Sequence, residues 1–507
     1  MVTRISGLAS GMDIDSMVKK LMTAESAPLD KLNQQKQLME WKRENYRETS
    51  VKLVSFTQDK LSKLNLSSAI SAQKANVTGN TSAVSAKVSS SASGVLDVKV
   101  TSLATASSAT SSAAIELNGS APAPTDWGTV KLQDIKDSGI SGTTPITVKI
   151  GSGDSEASIE IDPVNETLDS FVQKINSNKQ AGVSAIYDSA TGKISLTSKT
   201  TGAKDIALNG AIFSALKLGS TITGGEDAKL TVNGLDITRS SNTFAMNGVE
   251  LTLNNASGST STRIEVVKDT DKLVETVQGF VDAYNDVLST LNNKVSEERY
   301  SKYTPLTNDQ KKDMSDDEIT LWTNKAKSGM LKNDSILQSA AADMRSAMVQ
   351  KVTLDDGTTI SLAELGITTG TYQTKGKLIL DTDKLKAALD KDPDIVTNFF
   401  GKQDSAAAQS NKYTDQDGIF ARMKKISNTA LQKLADKAGT SKVSTDLSAS
   451  FIISSTMGQE LTSIDRRITD MTARLNMIET NYYKKFSSME TAINKYNSTS
   501  SSLSSFR

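Results

Sequence analysis

The chain has 507 residues, length enough for about three domains with separate cores. Its 58 basic residues balance 58 acidic ones, so no net field draws it toward nucleic acid or an anionic membrane. It contains neither cysteine nor histidine, which excludes disulfides, thiolate nucleophiles, imidazole acid–base chemistry and zinc sites built on those ligands. Carboxylate-only catalysis and oxygen-ligand metals survive that cut, and no cofactor is implied. Aromatic residues make up only 5%, a composition of solvated helix and loosely packed β structure rather than a dense enzyme core.

Residues 1–11 are small, polar and Gly-rich, and are expected to be mobile until something binds them. The first apolar stretch, Ile14 to Met22, is interrupted by Asp15, Lys19 and Lys20 and cannot serve as a secretory h-region. No run approaches the ~18 apolar residues of a membrane span. The expectation is a cytoplasmic protein, or one exported by a route that reads no cleaved signal, with no membrane insertion. From Met12 to about Leu66 the pattern is helical, with Ile14, Met17, Val18 and Leu21 on one face. Pro28 predicts a break or restart near Ala27. Beyond it Leu32, Met39, Tyr46 and Leu53 recur every seven residues, with Leu29, Trp41, Phe56, Leu61 and Leu64 as a less regular second row.

Near Asn76 the composition shifts to Ser, Ala and Thr, and alternating strands follow. They are Leu96, Val98, Val100; Ile146, Val148, Ile150; Ile159, Ile161; Val183, Ala185, Tyr187; and Ile194, Leu196. The last two predict a hairpin over Asp188 to Gly192. One short helix interrupts them, with Asn165 as cap and Leu168, Phe171, Val172 and Ile175 buried. Asn233-Gly234 and Asn247-Gly248 lie between alternating runs and predict tight hairpins, because both turn positions need positive φ. Residues 77–267 are therefore read as mostly β, in two small domains.

Helical periodicity returns at Lys268, with Leu273, Val277, Phe280, Tyr284, Val287, Leu291 and Val295 on one face. Further helices are expected over Ser335 to Val352, capped by Asn333 or Asp334, and over Thr414 to Lys437. Between them, Asp392 as N-cap, Pro393 at the first position and Gly401 past the end bracket a short helix. The last helix, about Gly458 to Asn497, is the most regular. Leu461, Ile464, Ile468, Met471, Leu475, Ile478, Tyr482, Phe486, Met489, Ile493 and Tyr496 follow at gaps of three and four, the a/d seam of a coiled coil. Two consecutive four-residue gaps at Ile478, Tyr482 and Phe486 form a stutter. A seam on the order of 50 Å long needs a partner of similar length, and the row Leu32, Met39, Tyr46, Leu53 is read as facing it. Two readings of the stripe stay open. Both ends can form an intrachain core, or the outer turns can dock on neighbouring subunits.

Other charged motifs have plainer readings. Asp415-Gln416-Asp417-Gly418 opens like a calcium loop but lacks the later acidic ligands, and is read as a turn ahead of a helix. Asp355-Asp356-Gly357 is read as a hairpin turn, and Gly151-Ser152-Gly153 as a linker. Asp313, Asp316, Asp317 and Glu318 lie beside Lys311 and Lys312 and are read as a solvated charged face. A carboxylate-based hydrolase has no supporting constellation, so the protein is read as a non-enzyme.

The two ends of the chain resemble the flagellar filament cap protein family, also called the flagellar hook-associated protein 2 family. The resemblance rests on GLASGMDIDSMVKKLMTAESAPLDKL (7–32), GVLDVKVTSLA (94–104), GFVDAYNDVLSTL (279–291), LKNDSILQSAAADMR (331–345) and LAELGITTG (362–370). GKLILDTDKLKAALDKDPDIVTNFFG (376–401) and FSSMETAINKYNSTSSSLSSF (486–506) complete it. LTVNGLDITRSSNTFAMNGVELTL (230–253) resembles a β motif of flagellin-related proteins, whereas 112–222 match weakly.

The fold class expected is α+β multidomain, a terminal coiled-coil or helical-bundle stalk with an inserted β-rich head of two small domains. The expected division is 1–40 with 470–507 as terminal coiled-coil helices, mobile and used in assembly, and 41–76 with 268–469 as the helical stalk. Residues 77–111 with 223–267 form the first head domain and 112–222 a variable second one. The resemblance implies a ring of identical subunits at the filament tip that retains exported flagellin and promotes its folding and insertion. The implied partners are its own copies, flagellin, hook–filament junction proteins and an export chaperone. Export would run through the flagellar type III apparatus without a cleaved signal. The alternative expectation is a tip adhesin whose head binds surface or host glycans.

Overall fold

The computed structural model describes residues 13–119, 122–153, 155–219 and 222–504. The expected mobility of residues 1–11 therefore lies outside the described residues. The chain divides into two units, Met1–Ser71 with Thr270–Arg507, and Ala72–Asp269.

The first unit is built on helices. Helix α1 runs over Ile14–Val54, opened by Asp13, whose carboxylate accepts the Ser16 amide at 3.0 Å. The break expected at Pro28 is absent, and the helix passes through it as one piece of 41 residues. Pro28 lies on the exposed side of the helix, and the turns on either side are held to the C-terminal helix by contacts described below. A π-helical turn, Ser55–Leu61, follows directly. Helix α2 (Thr270–Ser296) buries Leu273, Val277, Phe280, Tyr284, Val287 and Leu291 along the expected face. Helix α3 (Asp316–Lys327) starts at a Ser315–Glu318 capping box, and α4 (Ser335–Val349) at Asp334, as its sequence predicted. Helix α5 is Thr382–Lys391, α6 is Ile419–Ala438 and α7 is Thr456–Ser504.

The sequence placed the start of α6 at Thr414. It starts five residues later because the Asp417 carboxylate accepts the amides of Asp404 and Thr414, at 3.1 and 3.0 Å, and holds that segment as a turn. Asp392 accepts the Asp394 amide at 2.9 Å, and the short helix after it, residues 395–401, is π-helical over Thr397–Gly401. That turn drives Phe399 and Phe400 into the core. Phe400 meets Phe280 at 5.2 Å and Phe420 at 5.3 Å between ring centroids, so three separated segments share one aromatic cluster.

The second unit contains β1 (Gln73–Gly79), β2 (Val84–Val88), β3 (Val95–Ser102), β4 (Ala106–Thr110), β5 (Ile146–Ser152), β6 (Ser155–Ile161), β7 (Val183–Tyr187) and β8 (Ile194–Thr201). It continues with β9 (Ile206–Asn209), β10 (Ile222–Thr223), β11 (Ala228–Val232), β12 (Leu235–Arg239), β13 (Thr243–Met246), β14 (Val249–Leu253) and β15 (Thr262–Lys268). One core joins the sheet β1-β15-β3-β11-β12 to β13-β14-β2 and centres on Val84, Val98, Val249, Leu251 and Ile264. A second joins β10-β4-β8-β7 to β6-β5-β9 and centres on Ile150, Leu168, Phe171 and Leu196. Ala109 of β4 packs in this second core.

Both Asn-Gly turns form the hairpins predicted for them, with φ of 51° and 82° at Asn233 and Gly234, and 49° and 77° at Asn247 and Gly248. Asn233 also accepts the Asp97 amide and donates to the Val95 carbonyl, so the turn pins the neighbouring strand. The β7–β8 hairpin turns over Asp188–Gly192 as expected. The helix Leu168–Ser177 buries all four predicted residues, but its cap is Thr167, not Asn165. Asn165 instead donates to Asp162 in the preceding turn.

Candidate assembly surface

Helix α1 lies along α7 in antiparallel sense. Two side-chain contacts set the register. Lys36 Nζ meets Asp465 at 2.7 Å, and the Tyr482 hydroxyl donates to Glu25 at 3.2 Å. The Asp465 carboxylate holds the Lys36 ammonium above the usual lysine range, and the Glu25 contact likewise raises the Tyr482 phenol. On α7, Leu461, Ile464 and Leu475 are buried, while Ile468, Met471, Ile478, Tyr482, Phe486 and Ile493 are half-buried. Met489 is 37% exposed and Tyr496 76% exposed. The helical pair thus covers its seam well near the start of α7 and poorly toward its end.

On α1, Leu32 is buried and Met39 half-buried within the stretch that faces α7. Tyr46 and Leu53 are also buried, but the register carries them to and past the first turn of α7. They pack into the helical bundle instead. The Tyr46 hydroxyl donates to the buried Asp334 at the head of α4, and Lys437 of α6 lies 3.6 Å from that carboxylate and 5.5 Å from the Tyr46 ring. Burial first, and the Asp334 contact second, push the Tyr46 phenol far up. A seven-residue repeat marks one face of a helix but not which partner meets it, so Tyr46 shares the spacing of Leu32 and Met39 yet faces α4 and α6.

Two residues omitted from the facing row belong beside Leu32 and Met39. Ile14 and Val18 are almost fully buried, and the register brings them level with the outer half of α7. Their i,i+4 spacing, on the face they share with Met17 and Leu21, is the signal in the sequence.

The join between α6 and α7 carried no sequence signal beyond one aromatic in a Ser-rich loop. Phe451 is held between Arg43 and Arg47, whose guanidinium carbons stand 4.1 and 3.8 Å from the ring centre. Arg43 donates to the carbonyls of Ala438 at 2.6 Å and Ile452 at 3.1 Å, and Arg47 to that of Leu447. Burial, then the like charge of Arg47, lowers the Arg43 pKa. One side of α1 thereby fixes both the end of α6 and the approach to α7.

The acidic motifs take structural roles. Asp417 and Lys425 form a buried ion pair at 2.7 Å. Beside them the fully buried Arg422 donates to the carbonyls of Asp417, Asp415, Ala347, Gln350 and Lys351, closing the C-terminal end of α4. Asp356 accepts from Thr358 in the turn of a two-stranded hairpin, as its sequence predicted. Glu318 serves the Ser315 cap. Among the described residues, no group of three or more carboxylates is placed to hold a metal ion, and no helix is long and apolar enough to cross a membrane.

Comparison with known proteins agrees with both ends of this arrangement. Residues 10–107 match the model of the flagellar hook-associated protein 2 N-terminus, and residues 225–498 that of the flagellar hook-associated protein 2 C-terminus. The chain belongs to the flagellar hook-associated protein 2 family. The flagellar hook-associated protein 2 of Halalkalibacterium halodurans is 31% identical over 99% of both chains. That of Salmonella typhimurium is 27% identical over 71% of this chain and 68% of its own. The crystal structure of the D1-D2-D3 domains of the flagellar cap protein FliD from Escherichia coli superposes with a TM-score of 0.53 at 23% identity, covering 79% of this chain and 97% of that one. That likeness shows a shared multidomain α+β fold. The family is one of structural flagellar cap proteins, not of enzymes, and places the chain at the flagellum.

Proposed function

We propose that this protein is a building block of the cap at the distal end of the flagellar filament. Its copies form a ring that retains exported flagellin and promotes the folding and insertion of arriving subunits. The observation that carries this reading is family membership across both chain ends, the same ends that form the α1–α7 pair. The thinning cover over the outer half of α7, down to the exposed Tyr496, supports its use as a docking surface for other subunits. Residues 1–40 with 470–507 would engage the filament or hook–filament junction proteins, and the β unit would form the head, with 112–222 as its variable part. Export proceeds through the flagellar type III apparatus, with an export chaperone holding the chain beforehand.

Electron microscopy of the purified full-length protein, with complementation of a strain lacking its cap, tests this. Rings of countable subunits and restored filaments are expected. A solitary monomer that restores no filament growth would overturn the reading.

A further inference from the structure

A cleft of about 880 Å³ opens in the helical unit between α2, α4 and the turn at residues 369–376. Val295, Ala341 and Val349 give it apolar walls, and Val349 is 73% exposed. Among the described residues, the charged ones that line it are Arg345 and Lys375, with no carboxylate, so the lining is apolar and cationic. Lys375 sits at φ 53°, a left-handed backbone that disfavours a side chain, and Gly376 follows at φ 89°. A Cβ on Gly376 would stand 2.5 Å from Cδ of Arg345, so glycine is what lets the arginine stem lie across this turn. The turn thus holds the Arg345 stem against the cleft, with Lys375 on its exposed rim.

The complementary shape and charge lie on another part of the same unit. Helix α3 exposes Leu321 to 65%, with Asp317 one turn before it and Asn324 one turn after. Residues spaced i, i+4, i+7 form one ridge, the pattern by which a helix seats in a groove. Asp313, Asp316 and Glu318 join Asp317 at this end of the helix, and they outnumber the neighbouring Lys311 and Lys312, of which Lys312 is paired with Asp309 at 2.6 Å, so the end is net acidic. The lysines at its other end do not neutralise it, since Lys325 folds over Tyr303 at 4.9 Å and Lys327 over Trp41 at 5.2 Å. The helix dipole accounts for acids in the first turn, but not for a bare leucine beside them.

We infer that the α3 ridge of one copy docks into the α2–α4 cleft of the next, Leu321 entering the apolar walls and Asp317 meeting Arg345 and Lys375. Ridge and cleft are different surfaces, so the contact repeats head to tail and can close a ring. Zero net charge leaves no long-range repulsion between copies. This rests on the self-association proposed above and assigns residues to it.

The absence of native cysteine makes the test clean. Full-length Leu321→Cys and Val349→Cys variants are mixed and oxidised, with Leu321→Cys plus Ile186→Cys, an equally exposed site in the β unit, as control. At least a tenfold excess of mixed disulfide over the control is expected. Lys375→Glu or Arg345→Glu in the Val349→Cys partner should abolish that excess, and Asp317→Arg in the Leu321→Cys partner should restore it. Circular dichroism on each variant confirms the fold, and Lys375→Glu, on an exposed turn, keeps the test valid if Arg345→Glu misfolds. Rings seen by microscopy without preferential cross-linking overturn the interface and leave the ring standing. Neither rings nor cross-links overturn both.

Discussion

The most consequential single residues are charged ones that serve the fold. Asp417 is fully buried, accepts two backbone amides and pairs with Lys425, so its removal strands a buried ammonium. Asp417→Ala should lower stability by about 3–5 kcal/mol, the usual effect of breaking a buried pair, and Asp417→Ala with Lys425→Met should recover part of that in thermal unfolding followed by circular dichroism. Asp30 behaves oppositely. Burial first, and the neighbouring Asp309 second, raise its pKa in the folded chain above 3.8. The folded state then binds the proton more tightly than the unfolded one, so stability falls as pH rises from the unfolded pKa through the folded one. Asp30→Asn should therefore raise Tm at pH 7 and leave it unchanged at pH 3; an equal shift at both would mean that the carboxylate charge is not the cause.

At the scale of elements, α1 shows tertiary packing overriding a local rule. Proline lacks the amide that would bond one turn back, at about 3 kcal/mol within a helix, yet α1 continues because Glu25 and Lys36, on either side of Pro28, are both tied to α7. Pro28→Ala should stabilise the α1–α7 pair and slow amide exchange in the turns around residue 28 by up to about 100-fold, the equivalent of that energy. Unchanged protection would show that the proline is not strained there. The hairpin turns need no such override. Asn233-Gly234 and Asn247-Gly248 adopt positive φ because their own chemistry favours it, and those hairpins were legible from the sequence for that reason. The cap at Thr167 was not, since Asn165 and Thr167 are both good caps and only the path of the chain chooses between them.

For the whole molecule, the seam between α1 and α7 links fold to function. Ile478→Asp would put a charge into a half-buried stripe and weaken the pair by several kcal/mol where it stays unpaired. It is expected to abolish filament growth in complementation while the β unit keeps its strand signal, because Ile478 lies in the other unit. Normal filaments from that variant would separate the seam from assembly. By itself the sequence determined the helical ends, the strand periods, the Asn-Gly turns and the family, since each is written in spacing, turn chemistry or motif within a short window. Only the tertiary structure decided that α1 runs unbroken through Pro28, that Tyr46 and Leu53 serve the bundle rather than the seam, and that Arg43, Arg47 and Phe451 lock the approach to α7. Those outcomes depend on partners hundreds of residues away, and a side chain's spacing shows which way it faces, not what it meets.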